Sequence, residues 1–203
     1  MQKGGAGVVL AAGMSSRMGT PKALLQHRDG RTFLEVACAV LREAGADPVV
    51  VVLGFHRQRL EERLPEGTQA VVNPQPELGQ VRSMAIGLRA ARGEGKEFAL
   101  VSLVDHPAVA SRTVRALAEA AAGEPGCLHV PVWRGSRGHP VAIPTSLAEA
   151  LFEAPPGEGA RDVFARLQVE VREHPVEDPG ILIDVDTPEQ LERWRRQIGE
   201  DAP

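Results

Sequence analysis

Short runs of apolar residues alternate along the chain with segments in which apolar positions recur at helical period. Residues 6–12 are nearly continuous apolar, with Val-Val-Leu at their centre, and residues 48–53 and 98–104 repeat this pattern. Such runs are typical of strands whose two faces are both covered. Shorter runs at residues 69–72 and 128–133 predict two further strands.

Helix signals fill the gaps between these runs. Thr32 and Glu35 have the spacing of a capping box, and apolar residues at helical period follow them. Thr187 and Gln190 repeat this spacing at the start of a predicted terminal helix. Further helices are predicted at residues 58–64, at 83–91 after an opening near Gly79, at 111–123 with Ser111 as cap, after a capping box at Ser146 and Glu149, and at 160–167 after Gly159.

Three more segments, residues 141–143, 169–172 and 181–185, have strand-like patterns. The alternation of strands and helices predicts an α/β fold with a doubly wound, mostly parallel sheet in a three-layer α/β/α arrangement. A chain of 203 residues is long enough for one sizeable core and short for two. We therefore expect residues 1–203 to form a single domain.

Composition and charge exclude several classes of partner. The net charge is −4, and the Lys and Arg residues are dispersed along the chain, so nucleic acid is not expected as a partner. No apolar run approaches the roughly 18 residues of a membrane span, and the polar start, residues 1–3, lacks the apolar core of a signal peptide. These observations predict a soluble cytoplasmic protein with no membrane partner.

Cysteine and histidine spacing gives no sign of a disulfide framework or a zinc site. Cys38 and Cys127 are isolated from each other, one in a helical pattern and one in a strand pattern, and we expect both to pack in the core. None of the histidines is spaced from another as zinc ligands on one helix would be. No transition-metal site is predicted.

The segment after the first strand, residues 13–22, is dense in small and cationic residues and is called the opening loop below. Glycine lets the backbone approach an anion, serine offers hydroxyl and amide donors, and the two cations supply positive charge. In a doubly wound sheet, ligands gather at the carboxyl ends of the strands, where this loop lies. The loop is predicted to bind a triphosphate, and the alternative is a solvated turn whose cations face water. The residues concerned are Gly13, Ser15, Ser16, Arg17, Gly19 and Lys22.

Three common motifs do not fit the opening loop. A Walker A loop requires Gly-Lys-Ser/Thr where Pro21 and Lys22 stand. A dinucleotide-binding fingerprint follows a strand, whereas Gly5 and Gly7 precede the first strand's centre. A serine hydrolase elbow needs glycine two places after serine, and no serine of this loop has one.

Five stretches, in order, resemble the MobA-like nucleotidyltransferases, and more closely the molybdenum cofactor cytidylyltransferases called MocA-like. They are "LAAGMSSRMGTPKALL", "NPQPELGQVRSMAIGL", "LVDHP", "RGHPVAIP" with "GARDVF", and "IDVDTPEQL", and together they span almost the whole chain. The resemblance implies a Rossmann-like nucleotidyltransferase fold, of the nucleotide-diphospho-sugar transferase type. It also implies a magnesium-dependent reaction in which an NTP and a phosphorylated acceptor give a nucleotidyl product and pyrophosphate.

For the donor nucleotide, the resemblance implies a site built from the first two motifs. Arg17, Lys22 and Asp105 are the predicted catalytic residues, and the two cations suit the departing pyrophosphate. The alternative for the residues of the second motif is a structural role in a turn and a helix start. The predicted nucleotide-binding residues are Leu10, Ala11, Ala12, Gly13, Ser15, Ser16, Arg17 and Lys22 in the first motif, and Asn73, Gln80 and Ser83 in the second.

Two carboxylates that follow predicted strands are candidate magnesium ligands. Asp105 and Asp186 each end such a strand at the edge that carries the opening loop, and the resemblance places metal carboxylates at both motifs. Magnesium prefers a few carboxylate oxygens together with phosphate and water. Asp184 would share the side of the strand that Asp186 occupies, as a supporting group or substitute ligand. The alternatives are a turn cap for Asp105 and a helix cap for Asp186.

The acceptor site is implied by three motifs further along the chain. Arginine suits phosphate or carboxylate recognition, and the alternative is a surface loop with solvated arginines. His106 departs from the Gln or Met that is more usual after the aspartate, which leaves the identity of the acceptor open. The predicted substrate-binding residues are His106, Arg137, Gly138, His139, Arg161 and Asp184.

The form Leu-Ala-Ala-Gly in the first motif favours CTP, because the methyl group of Ala12 would crowd a purine more than a pyrimidine. The predicted function is therefore transfer of CMP from CTP to the phosphate of molybdopterin. Alternatives are a guanylyltransferase that uses GTP, a transferase to another small phosphate acceptor, and a non-catalytic nucleotide-binding accessory protein. A molybdoenzyme that receives the cofactor is a candidate protein partner.

Overall fold

The computed structural model describes the backbone of residues 4–200 and the side chains of residues 4–196. Met1, Gln2 and Lys3, on which the expectation about a signal peptide rests, lie outside the described residues. No helix of the described range is long and apolar enough to cross a membrane.

A mostly parallel sheet forms the centre of the fold, as the sequence predicts. β1, β2, β3 and β4 are parallel in the order β3-β2-β1-β4, β7 and β5 follow, and β6 and β8 both pair with β5. The strands are β1 Ala6–Ala11, β2 Val49–Leu53, β3 Thr68–Val72, β4 Phe98–Leu103, β5 Leu128–Trp133, β6 Ser136–Arg137, β7 Val141–Pro144 and β8 Val171–Pro175.

Helices cover both faces of the sheet, which confirms the predicted three-layer arrangement. Alternate residues of β1 point to opposite faces, so Val9 belongs to one apolar cluster and Val8 to the other. α1, α4 and α7 contribute to the first cluster, and α3, α5 and α6 to the second. The helices are α1 Phe33–Glu43, α2 Arg57–Glu61, α3 Gln80–Gly93, α4 Ser111–Gly123, α5 Ala148–Phe152, α6 Ala160–Arg166 and α7 Pro188–Glu200.

Two short strands, β6 and β7, depart from the parallel arrangement. β7 is antiparallel to both β4 and β5. A parallel neighbour would need a crossover of about a dozen residues or more, and only residues 134–140 separate β5 from β7. The connection therefore forces an antiparallel return, in which β6 makes a two-residue hairpin with β5.

Two of the predicted capping boxes are confirmed. At α1, Glu35 N donates to the hydroxyl oxygen of Thr32 (3.2 Å) while the Glu35 carboxylate accepts from Thr32 N (2.6 Å). At α7, Gln190 N donates to the Thr187 hydroxyl (3.3 Å) and the Gln190 side chain accepts from Thr187 N (2.9 Å). Each box satisfies backbone donors that the first turn of a helix leaves without intrahelical partners.

Two other predicted caps are wrong, because their side chains have partners elsewhere in the fold. Ser111 is the first residue of α4 rather than its cap, and its hydroxyl donates to the carboxylate of Glu43. Ser146 lies in a 3₁₀ turn, and Glu149 forms an ion pair with Arg89 of α3 instead of a capping box.

The strand predicted at residues 181–185 is also wrong. A 3₁₀ turn, Pro179–Leu182, occupies its start, and the rest is irregular. The buried carboxylate of Asp178 accepts hydrogen bonds from Gly180 N (3.0 Å), from Ala110 N (3.0 Å) and from the Thr113 hydroxyl (2.6 Å). These bonds hold a turn against the start of α4, so the apolar side chain of Ile181 is buried without a strand.

The two cysteines differ in environment. Cys38 is fully buried in α1, as predicted, and burial raises the pKa of its thiol to about 12. Cys127 is only half-buried, and its thiol lies 3.8 Å from the Glu124 carboxylate and 3.7 Å from that of Glu170. The prediction of core packing is therefore wrong for Cys127.

The parallel register brings three loops to one edge of the sheet. Leu10 of β1 pairs with Leu103 of β4, and Ala11 pairs with Leu53 of β2, so these strands end at the same level. The opening loop, the loop after β2 and the loop after β4 consequently lie side by side.

Candidate active site

The opening loop folds back on Ser15. This residue has a positive φ of 55°, and its carbonyl accepts hydrogen bonds from Met18 N (3.1 Å) and Gly19 N (3.2 Å). Gly19 has φ 71°, in the left-handed region that glycine adopts without strain. The Ser15 hydroxyl oxygen accepts from Lys22 N (3.0 Å), which leaves the hydroxyl proton free to donate to an anion.

Three ion pairs connect this loop to the two carboxylates that were predicted from the sequence as metal ligands. Lys22 Nζ donates to Asp105 Oδ2 (2.7 Å) and also to Asp186 Oδ1. Arg17 donates to the other oxygen of Asp186 (2.6 Å). The structure thus brings together the four charged residues predicted at the reaction centre, from three separate motifs.

The charges of this cluster shift the pKa values of its members. Burial lowers the pKa of Lys22, but the hydrogen bonds and charges of Asp105 and Asp186 outweigh burial, so the pKa is raised. The hydrogen bond from Lys22, followed by the charges of Lys22 and Arg17, lowers the pKa of Asp186. Both residues are therefore ionised at neutral pH.

Asp186 reaches the cluster although no strand precedes it. Val185 N donates to the carbonyl of Asp105 (2.9 Å), which fixes the segment before α7 beside the end of β4. Asp186 N donates to the side chain of Gln190 (2.8 Å), and the α7 cap is supplied by Thr187. The carboxylate of Asp186 does not cap the helix and faces Lys22 instead.

The cluster fits a divalent cation. Asp105 and Asp186 direct carboxylate oxygens at one point, which the Lys22 ammonium occupies, and such hard oxygen donors suit magnesium. Among the described residues, no group of three or more His, Cys, Asp or Glu side chains could hold a metal ion. The remaining ligands would therefore be phosphate oxygens and water. The two cations and two carboxylates of the cluster together carry no net charge.

A first cavity of about 350 Å³ lies above this cluster. It falls within the size range of small-molecule sites. The opening loop forms one side of it, and the loop after β2 and the start of α3 form the other. The predicted residues that line this cavity are Leu10, Ala11, Ala12, Gly13, Ser15, Ser16, Arg17, Lys22, Gln80, Ser83, Asp105 and Asp186.

Asn73 is buried and does not line the cavity. Its side-chain NH₂ donates to the Ser83 hydroxyl (3.0 Å), and its side-chain oxygen accepts from Gln75 N (2.9 Å). Both polar groups are used within the protein, so Asn73 positions Ser83 and the turn before α3. A direct contact between Asn73 and a nucleotide stays a prediction.

A second cavity of about 860 Å³ lies between the sheet and α6, and Gln80 lines both cavities. Its interior is mostly apolar, with side chains such as Met84, Val101 and Phe164. Of the predicted acceptor residues, His106, Arg137, Gly138, His139 and Arg161 line it.

Arginines stand at the edge of the second cavity. Arg137 is half exposed and forms an ion pair with Glu173 (2.6 Å), while Arg161 is exposed at the start of α6. Gly138 is in close contact with the Ile181 turn, because an added Cβ would lie 2.4 Å from the Ile181 carbonyl oxygen. Only glycine fits there.

Two histidine rings lie together inside the second cavity. The rings of His106 and His139 are edge to face, with centroids 5.2 Å apart, and the Nδ1 atom of each is buried without a hydrogen-bond partner. Burial lowers the pKa of both rings, that of His139 to about 4, and the neighbouring His106 contributes to the shift of His139. The pair is therefore neutral at pH 7 and offers polar atoms without charge.

Asp184 does not join the cluster. The expectation that it shares the side of a strand with Asp186 is wrong, since no strand forms, and Asp184 is exposed and lines neither cavity. Its charge acts on His106, where it opposes the effect of burial on the pKa.

Several residues of the site were not predicted. Phe55 and His56, in the loop after β2, line the first cavity together with Met14 and Pro76. The apolar residues of the second cavity were not predicted either, because they come from many strands and helices. The position of Phe55 directly after a buried strand, at the edge that carries the opening loop, is a signal that could have identified it.

Comparison with known proteins identifies a family and several relatives of the chain. Residues 7–171 match the MobA-like NTP transferase domain, which confirms the predicted resemblance. A probable molybdenum cofactor guanylyltransferase of Rhodopirellula baltica is 41% identical over 101 residues, which are 50% of this chain and 48% of that protein. The chain thus matches about half the length of this relative. The nicotine blue oxidoreductase of Paenarthrobacter nicotinovorans is 35% identical over 92% of this chain and 94% of its own length.

Solved structures superpose on most of the chain. Rv0371c from Mycobacterium tuberculosis superposes with a TM-score of 0.82 at 29% identity, over 95% of this chain and 98% of that chain. A second structure of that protein, in complex with manganese, has a TM-score of 0.72 at 27% identity and covers 94% of this chain and 97% of that one.

Proposed function

Since the chain belongs to the MobA-like NTP transferase family, we propose that it transfers a nucleoside monophosphate from an NTP to the phosphate of molybdopterin, releasing pyrophosphate. Membership of this family makes the chain an enzyme of the nucleotidyltransferase type. The proposed acceptor rests on the relatives named molybdenum cofactor guanylyltransferase. We also propose that residues 1–203 act as a single domain, because β8, near the end of the family match, pairs with β5 of the central sheet.

The observation that carries the proposal is that the cavity with the four charged residues, Arg17, Lys22, Asp105 and Asp186, adjoins a second cavity at Gln80. The first cavity contains the opening loop, whose donors suit a triphosphate, and the second has room for a larger, mostly apolar group. Asp105 lines the first cavity and the next residue, His106, lines the second. A donor in the first cavity and an acceptor in the second would meet where the cavities adjoin, next to Asp105 of the cluster.

The proposed reaction needs no protein nucleophile. An oxygen of the acceptor phosphate attacks the α-phosphorus of the NTP, the bond from that phosphorus to the bridging oxygen breaks, and pyrophosphate leaves with the electron pair. The protein aligns two anions and stabilises the charge of the departing group. Lys22 donates to both carboxylates here, and a cation bound to those oxygens would free its N–H donors for a phosphate. Arg17 has further donors, and its side chain is 66% exposed towards solvent.

Asp105 and Asp186 would hold a divalent cation, with magnesium as our proposal. Bound there, the cation would supply positive charge between two anionic reactants. The two carboxylates would provide oxygen ligands, and Arg17 would keep Asp186 oriented through its second oxygen.

CTP is the donor that we propose, on the basis of Ala12. The residue is buried and lines the first cavity, and an added Cβ on Gly54 would lie 2.8 Å from the Ala12 Cβ. This tight packing fixes the methyl group where the loop begins and leaves less space for a purine. GTP is the alternative, since several relatives are named guanylyltransferases.

A pyrophosphate assay tests the proposal. Purified protein is incubated with each of the four NTPs, with and without molybdopterin and with magnesium or a chelator. We expect pyrophosphate release that requires the acceptor and the divalent cation and that is fastest with CTP. Release that proceeds equally without the acceptor would contradict the proposed acceptor.

A second candidate function comes from a relative matched over 94% of its length, the nicotine blue oxidoreductase. The large apolar second cavity could take a planar aromatic compound, and the reaction would then need a redox cofactor. Oxidation of NADH or NADPH in the presence of an aromatic electron acceptor, without any NTP, would favour this alternative. The opening loop with its two cations favours nucleotidyl transfer.

A further inference from the structure

Phe55 is a large apolar side chain that the fold leaves uncovered. The residue is 41% exposed, although it directly follows the fully buried strand β2. It lines the first cavity together with the exposed Met14 and with the start of α3. An exposed aromatic ring at the opening of a ligand cavity provides a surface on which another flat ring can stack.

The backbone that carries this ring is held in place by two hydrogen bonds to the opening loop. Phe55 N donates to the carbonyl of Ala12 (3.3 Å), and His56 Nε2 donates to the carbonyl of Met14 (2.7 Å). Gly54 makes a close contact as well, since an added Cβ would lie 2.6 Å from the Ala12 carbonyl oxygen. The ring is therefore exposed on a fixed support, and binding would order only the side chain.

We propose that the face of the Phe55 ring stacks on the nucleobase of the bound NTP, a role that rests on the proposed nucleotidyl transfer. The ring and the opening loop line the same cavity, and the loop's cations, Arg17 and Lys22, are placed for the triphosphate. The base of a nucleotide bound in that way lies towards the loop after β2. His56 is a positioning residue, because its hydrogen bond to Met14 joins the two loops.

Stacking on Phe55 affects affinity more than base choice. Every nucleobase has a flat face, so stacking on an aromatic side chain stabilises all four with little discrimination. Choice of base is left to hydrogen bonds and steric contacts at the base edge, which Ala12 and Ser83 of the same cavity would supply. Loss of the Phe55 ring should therefore weaken binding of all four NTPs by a similar factor.

Equilibrium binding tests this role independently of turnover. Titration calorimetry measures the Kd of CTP, GTP, UTP, ATP and inorganic tripolyphosphate for the wild type, for Phe55→Ala and for Phe55→Trp. We expect Phe55→Ala to weaken each NTP about tenfold while leaving tripolyphosphate, which has no base, unchanged. Phe55→Trp should retain NTP affinity, and its added indole fluorescence should be quenched by NTPs and not by tripolyphosphate. Leu167→Ala is the control, since Leu167 is similarly exposed (40%) and lines neither cavity.

The outcomes separate the two proposals. If the wild type binds NTPs and Phe55→Ala binds them equally well, the stacking role is wrong and nucleotidyl transfer stands. If Phe55→Ala weakens the binding of tripolyphosphate as much as that of NTPs, Phe55 only maintains the structure of the loop, and the stacking role is again wrong. If the wild type binds no NTP at all, the proposed function itself fails.

Discussion

The ammonium of Lys22 lies 2.7 Å from the carboxylate of Asp105, although 83 residues separate them in the chain. Lys22 belongs to the loop after β1, and Asp105 follows β4, the parallel neighbour of β1. The contact therefore depends on strand order and register rather than on local sequence. It brings a cation suited to a triphosphate to the carboxylates suited to a metal ion.

Replacement of this cation should weaken nucleotide binding and slow transfer. Lys22→Ala removes a charged donor, and we expect a loss in kcat/KM that corresponds to about 1 to 3 kcal/mol. Lys96→Ala is a matched control, because Lys96 lines neither cavity. Steady-state kinetics with varied NTP measures kcat/KM for the wild type and both variants. Equal values for all three would mean that the opening loop is a solvated turn and does not bind the triphosphate.

Neutral replacements of the two carboxylates should abolish the transfer activity that the divalent cation supports. Asp105→Asn and Asp186→Asn keep the size of each side chain but lose the charge that a hard cation requires. Transfer activity should fall severely in both, while circular dichroism shows an intact fold. Asp29→Asn, at an exposed ion pair with Arg31, serves as the control. Full activity of both site variants at low magnesium would rule out Asp105 and Asp186 as ligands of the cation.

The methyl group of Ala12 should affect base choice in one direction. Ala12→Gly enlarges the first cavity beside the base, so the ratio of kcat/KM for CTP to that for GTP should fall without inverting. Steric crowding by one methyl group corresponds to only about 1 to 3 kcal/mol, and hydrogen bonds at the base edge remain. An unchanged ratio would show that Ala12 does not touch the base.

The histidine pair predicts a pH dependence of stability. Burial and the neighbouring His106 hold the pKa of His139 at about 4, below the ordinary value of 6.5. Between these two values the unfolded chain binds more protons, so folding free energy is lost as the pH falls from 6.5 towards 4. From pH 7 to pH 5, the wild type should lose about 2 kcal/mol more than His139→Gln. Urea unfolding at both pH values measures this, and equal losses would mean that His139 titrates normally.

Local sequence patterns predicted helix caps correctly where the capping side chain bonds to a residue of the same helical turn. Thr32 with Glu35 and Thr187 with Gln190 form the expected caps, because each pair lies within one helical turn. Ser111 has the same kind of signal, but its hydroxyl bonds to a residue of another helix. A local pattern carries no information about such a competing partner.

The sequence predicts those contacts of the site that follow from the order of the parallel strands. Asp105 reaches the opening loop because both follow neighbouring parallel strands. Asp186 reaches it for a different reason from the one predicted, through a backbone hydrogen bond between Val185 and Asp105. The second cavity depends on packing between α6 and the sheet, which no single motif encodes.

The measurement that tests the account most directly is the mass of the acceptor after reaction. The protein is incubated with CTP, magnesium and molybdopterin, and the acceptor is isolated and analysed by mass spectrometry, with Lys22→Ala and an incubation lacking CTP as controls. We predict that the acceptor gains one CMP unit, with one pyrophosphate released for each acceptor converted. An acceptor that remains unmodified with each of the four NTPs, while the protein binds those nucleotides, would contradict nucleotidyl transfer to molybdopterin.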